Sequence, residues 1–142
     1  MSRPDVVGEV RSWIGTPYVH QASVKGAGAD CLGLVRGVWR ALQGDEPEAI
    51  PNYTPDWAEP ARDEVLWRAA RRWLIENQPD RERAGDVLLF RMARGSIAKH
   101  LGVQVSVGQA PAFVHAYSGH AVVETPLSLP WRQRVVARFS FP

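Results

Sequence analysis

The chain carries one cysteine, Cys31, in 142 residues. A lone thiol excludes an internal disulfide framework and any zinc site built on several cysteines. The four histidines, His20, His100, His115 and His120, show no His-Glu-x-x-His spacing, so no metal and no cofactor is expected. No apolar run is long enough to cross a bilayer. The start, Met1 to Asp5, leads straight into a short amphipathic segment, which predicts neither a signal peptide nor a membrane span. Neither sign of charge dominates. Seventeen basic residues against fifteen acidic ones leave a net charge of +2. Arg68, Arg71 and Arg72 follow Asp63 and Glu64, the mixture of a solvated helix face rather than a nucleic-acid footprint. Internal repeats and low-complexity tracts are also missing. What is present is ordinary for a globular protein, with 45% hydrophobic and 23% charged residues. The length suits a single domain spanning residues 1–142.

Hydrophobic spacing orders the chain as helices first and strands after. Pro4 to Ile14 reads as a helix with Val6, Val7, Val10, Trp13 and Ile14 at helical spacing and Gly15 as its stop. A glycine-rich loop, Thr16 to Ala29, leads to Asp30, a candidate N-cap. The helix it opens runs to about Gln43, with Cys31, Val35, Val38, Trp39 and Leu42 on one stripe and Gly44 beyond its end. Asp45 to Pro60 holds four prolines and reads as an irregular connection. A third helix is expected over about Ala61 to Asn77. The period then becomes alternating in Asp86–Met92, His100–Val107, Ala112–Tyr117, Ala121–Glu124 and Arg134–Phe139. These short runs predict an antiparallel meander, and the whole predicts an α+β fold with helices packed on a sheet.

Cys31 has two readings. It is a small buried hydrophobe, or it is a nucleophile at the start of a helix, where free N–H groups lower a thiol pKa and can also hold an oxyanion. A nucleophilic cysteine needs a base. Alternation sets His100, Gly102 and Gln104 on one strand face and Leu101, Val103 and Val105 on the other, with Gly102 leaving room beside the imidazole. His115 is centred in a second strand, Phe113 to Tyr117. In the catalytic reading His100 takes the thiol proton, and a neutral His115 holds its ring through the second nitrogen. His120, in the turn Ser118-Gly119-His120, competes with His115 for the third position, although a turn suits a solvent-exposed role.

Four motifs carry a resemblance: Thr16-Pro17-Tyr18; Asp30-Cys31-Leu32-Gly33-Leu34-Val35; Gly85-Asp86-Val87-Leu88-Leu89-Phe90; and His100-Leu101-Gly102-Val103. From about residue 8 to residue 125 the chain resembles the NlpC-type cell-wall cysteine peptidases. The extended block Asp30 to Trp39 is similar to the branch found with phage tails and gene transfer agents. The resemblance implies a papain-like fold and hydrolysis of the peptidoglycan stem peptide, typically between D-glutamate and diaminopimelate. It implies Cys31 as nucleophile, His100 as base, His115 as third member and Tyr18 on the oxyanion side, with Asp30 capping the nucleophile's helix. Its partners would be tail-tip or hub proteins of a particle assembled in the bacterial cytoplasm and acting on the periplasmic wall. The other class considered is a structural tail-tip component with little catalysis. Leu32 stands where many members have serine, and residues 45–60 are an insert on the minimal core.

Overall fold

The computed structural model describes residues 3–47, 53 and 63–142. Helix α1, Pro4–Arg11, starts with proline in its first turn and buries Val6 and Val10. It is shorter than its apolar pattern, because residues 12–15 close into turns and Gly15 donates its N–H to the Val122 carbonyl. The loop after it contains a small hairpin that its glycine and polar content conceals, β1 (Ser23–Val24) and β2 (Gly28–Ala29). Helix α2, Cys31–Gln43, follows, and Gly44 beyond it takes φ +86°. It packs closely on the turn that follows α1: a Cβ on Gly37 would lie 2.0 Å from the Trp13 ring.

Helix α3 is Val65–Trp73, and the end of the expected third helix is a strand instead, β3, Ile75–Asn77. Leu74 is already extended (φ −114°, ψ 167°). Beyond it the chain pairs with the last strand, Ile75 opposite Ser140 and Asn77 opposite Arg138. The ladder satisfies the backbone groups that a further helical turn would have paired internally. Of the proline-rich connection only residues 45–47 and 53 are described, so its irregular character lies outside the described residues, as does Trp57, which the sequence leaves open as a groove wall or a partner contact.

Five further strands complete the sheet: β4 (Val87–Arg91), β5 (Ala98–Ser106), β6 (Ala112–Ala116), β7 (Val122–Pro126) and β8 (Val135–Ser140). The order is β3-β8-β4-β5-β6-β7, every pair antiparallel. Strands β4 to β7 form the expected meander, but β8 returns beside β4, after a short helix α4, Leu129–Arg132, that the sequence reading did not contain.

Both sheet faces are covered, which explains why β4 reads as a continuous apolar run. On the helix side Val87, Leu89, Leu101, Val103 and Phe139 meet Val6, Val10, Leu34 and Val38. On the other side Leu88, Phe90, Phe113 and Leu127 form a smaller cluster against Trp131 of α4. The Gly85-Asp86 block anchors the start of β4. Asp86 accepts from Arg138 at 3.1 Å, and Arg138 also reaches Gln104 at 2.7 Å and the Pro79 carbonyl at 3.2 Å. All three side chains of this network, Asp86, Gln104 and Arg138, are buried.

Candidate active site

Cys31 is the first residue of α2, and its Sγ lies 3.9 Å from the Lys99 carbonyl of β5. The expected orientation toward the sheet is therefore the one found. Cys31 is 9% exposed and faces a cavity of about 210 Å³ that Tyr18, Asp30, His100 and Tyr117 also line. His100 and Tyr117 are far from Cys31 in sequence, and the contacts of β5 and β6 with α2 bring them to it.

Asp30 caps α2 as its residue type suggests, its Oδ1 accepting the Gly33 N–H at 2.7 Å. Its other oxygen accepts the Gln21 N–H at 2.7 Å and the Tyr53 hydroxyl. One carboxylate thus caps the helix and ties the preceding loop to it. Gly33 has no room for a side chain, since a Cβ there would lie 1.8 Å from the Ala22 carbonyl oxygen.

The electrostatics correct one expectation. Burial pushes the Cys31 thiol up to about 12, and the Asp30 charge adds to the rise. A helix N-terminus lowers a thiol pKa when its N–H groups and positive end face the sulfur. Here the Cys31 and Leu32 N–H groups of the helix start, with that of Leu101, do pull the thiol down, but by less than burial and the Asp30 charge push it up. The resting sulfur is a protonated thiol.

His100 and His115 meet as their strands suggest, His100 Nε2 lying 2.8 Å from His115 Nδ1. Aromatic rings enclose the pair. His100 has Phe90, Tyr117 and Trp131 at centroid distances of 5.5, 5.7 and 6.0 Å. His115 has Phe113 at 4.4 Å, Trp131 at 5.2 Å and a stacked Tyr117 at 5.6 Å. The space at Gly102 is used as its size allows: a Cβ there would lie 2.8 Å from the Phe113 ring and 3.4 Å from His115 Cβ. Burial lowers His100 to about 3, with the His115 charge contributing, and lowers His115 to about 4, with that of His120 contributing. Both imidazoles are neutral at pH 7.

His120 is not the residue that meets His100. It is exposed in its turn and stacks on Tyr117 at 5.5 Å. Tyr18 is half-buried and bridges Ala29, and burial with the Cys31 and Asp30 charges raises its phenol to about 12, so it remains a donor. Leu32 does not line the Cys31 cavity. It lines a separate apolar pocket with Val35, Trp39, Leu66, Trp73 and Leu101. Leu32 is half-buried and packs against the main core.

Sequence reasoning missed Thr125, whose Oγ1 lies 2.9 Å from His115 Nε2; Trp131, which with Trp57 reads from the sequence as a groove wall or a partner contact, covers both imidazoles from the outer sheet face. Threonine is an ordinary strand residue, so only the pairing of β6 with β7 reveals it. Among the described residues no group of three His, Cys, Asp or Glu side chains could hold a metal ion. No described helix is long and apolar enough to cross a membrane.

The sequence model of the NlpC/P60 family matches residues 15–139. The chain belongs to the NlpC/P60 family. Peptidoglycan hydrolases of this family are cysteine peptidases. A curated relative, the gamma-DL-glutamyl hydrolase of Bacillus subtilis (strain 168), is 28% identical over 125 residues. That alignment takes in 87% of this chain and 25% of the relative, so the chain spans about a quarter of the relative's length. Among solved structures, the NlpC/p60 domain of the peptidoglycan hydrolase SagA superposes with a TM-score of 0.63 at 20% identity, covering 97% of each chain. A lipoprotein-like NLP/P60 protein of Staphylococcus aureus subsp. aureus Mu50 gives 0.63 at 17% identity, over 99% of this chain and 42% of that one. At these identities the structures establish the fold, an α+β arrangement of helices on an antiparallel sheet.

Proposed function

We propose that this chain is a peptidoglycan hydrolase, a cysteine endopeptidase acting on stem-peptide bonds of the D-glutamyl-diaminopimelate type. The observation that carries the reading is the shared cavity of Cys31 and His100, with His115 hydrogen-bonded behind His100. The name of the Bacillus subtilis relative supports a glutamyl bond as the target.

In this reading Cys31 Sγ attacks the carbonyl carbon while its proton passes to His100 Nδ1, the ring nitrogen that His115 does not engage. Because both groups are neutral at rest, the proton moves as the bond forms. The Cys31 N–H and the Tyr18 hydroxyl receive the oxyanion. The tetrahedral adduct expels the amine, which takes the proton from His100, and leaves a thioester on Cys31. Water then attacks the thioester, gives a proton to His100 and releases the carboxylate, and that proton returns to sulfur. His115 orients the base.

The particle setting is the finer part of the proposal. The Asp30 to Trp39 block resembles the branch found with phage and gene transfer agent tails. On that reading the protein opens the wall locally during DNA delivery, docked on tail-tip or hub proteins. The test is digestion of diaminopimelate-type peptidoglycan with mass analysis of the muropeptides. New amino groups at a glutamyl bond are expected, lost in Cys31→Ala, with a smaller loss in His115→Ala than in His100→Ala. Equal activity in Cys31→Ala would sink the hydrolase reading and favour a structural tail component.

A further inference from the structure

We infer that Thr125 is a positioning residue that sets the tautomer of His115 and, through it, leaves His100 Nδ1 bare to act as the base. This rests on the proposed hydrolase reading, and the argument is one of hydrogen counting along a single chain of bonds. His100 Nε2 and His115 Nδ1 are 2.8 Å apart, and His115 Nε2 and Thr125 Oγ1 are 2.9 Å apart. Each neutral imidazole has one N–H and one acceptor nitrogen. The two contacts can therefore run in only two directions.

In the first direction, His115 donates Nε2–H to Thr125 Oγ1 and accepts on Nδ1 from His100 Nε2–H. His100 Nδ1 then has a lone pair for the thiol proton. In the second, the Thr125 hydroxyl donates to His115 Nε2 and His115 Nδ1–H donates to His100 Nε2. His100 would then carry its hydrogen on Nδ1 and could not accept a proton there. The threonine oxygen is thus the far end of a relay whose direction decides whether the site has a base.

Thr125 holds its place by strand pairing alone. It lies on β7 opposite Phe113, while His115, two residues along β6, pairs with Val123. Its methyl and backbone would serve the sheet equally well as valine, which is a better strand former in packing terms. Only the hydroxyl distinguishes it. Phe113 and Trp131, packed against His115, limit ring rotation that could substitute another partner.

The experiment compares wild type, Thr125→Val and Thr125→Ser by long-range 1H–15N correlation of the histidine rings at pH 7, alongside hydrolysis of diaminopimelate-type muropeptides. Wild type is expected to show His115 protonated at Nε2. Thr125→Val should shift part of that population to Nδ1–H and lower kcat about three- to tenfold with KM unchanged, the size of one lost neutral hydrogen bond. Thr125→Ser should restore both readouts. A wild-type His115 protonated at Nδ1 would overturn the inference, and so would a Thr125→Val protein whose tautomer is unchanged, whatever its rate. If the valine variant does not fold, the wild-type tautomer and the serine variant still decide the matter. If wild type cleaves no muropeptide, the hydrolase reading fails while the ring spectra judge Thr125 separately.

Discussion

Acidification tests the neutral histidine pair most directly. In an unfolded chain both imidazoles titrate near 6.5, whereas burial lowers His100 to about 3 and His115 to about 4 in the folded protein. The unfolded state then binds more protons than the folded state throughout the window between those values. By linkage, stability is fully present above pH 6.5 and is lost as pH falls toward the folded values. Each histidine contributes a slope approaching ~1.4 kcal/mol per pH unit. Between pH 6 and pH 4.5 the pair together should cost about 3 kcal/mol, a large part of a typical domain's 5–15 kcal/mol. Urea denaturation at several pH values measures it, with a His100→Asn, His115→Asn variant as the non-titrating reference. Carboxylates such as Glu46 and Glu82, which sit below their usual range beside arginines, titrate in both proteins and cancel in the difference. Equal slopes for the two proteins would refute the reasoning, because they would mean that the folded protein holds the pair already charged.

Two further outcomes follow from the same physics. Iodoacetamide modification of Cys31 in the resting protein should keep accelerating above pH 9, since the thiol lies near 12; a plateau below pH 8 would mean a preformed thiolate. Arg138→Met should cost about 3–5 kcal/mol in urea titrations, because it strips the buried Asp86 of its 3.1 Å partner; a loss below ~1 kcal/mol would mean that the network reorganises around Arg83, now 3.7 Å from Asp86.

The resting thiol changes how the site is understood. A helix start is commonly read as a device for making thiolate, yet here Asp30 occupies it and supplies a negative charge beside the sulfur. Asp30 instead keeps α2 and the loop before it in one arrangement through Gly33, Gln21 and Tyr53. On the proposed mechanism activation is left to His100, which is neutral at pH 7 and so has a lone pair free for the thiol proton.

Much was legible before the fold was known, and particular residues show why. The period of Val6, Val10, Val35 and Val38 marks the face of each helix that meets the sheet, and all four are buried, although Leu34, also buried, falls outside that stripe. Asp30 before an apolar helix announced its cap, and His100 and His115 stood out as histidines inside strands. Local chemistry of this kind depends only on near neighbours. Where that condition failed, so did the reading. Ile75 to Asn77 read as the end of a helix, but their backbone groups find partners 61 to 65 residues away on β8.

Sequence alone therefore determined the class of fold, the family motifs and the candidate groups Cys31, His100 and His115, since helix phase, strand alternation and residue chemistry are local properties. Tertiary structure decided which way those groups are charged and which residues stand behind them. Burial depends on what packs from distant parts of the chain, here Trp131 against the imidazoles and β5, through the Lys99 carbonyl, against the sulfur. The pairing of β7 with β6 likewise set Thr125 on His115, a contact that no spacing along the chain encodes.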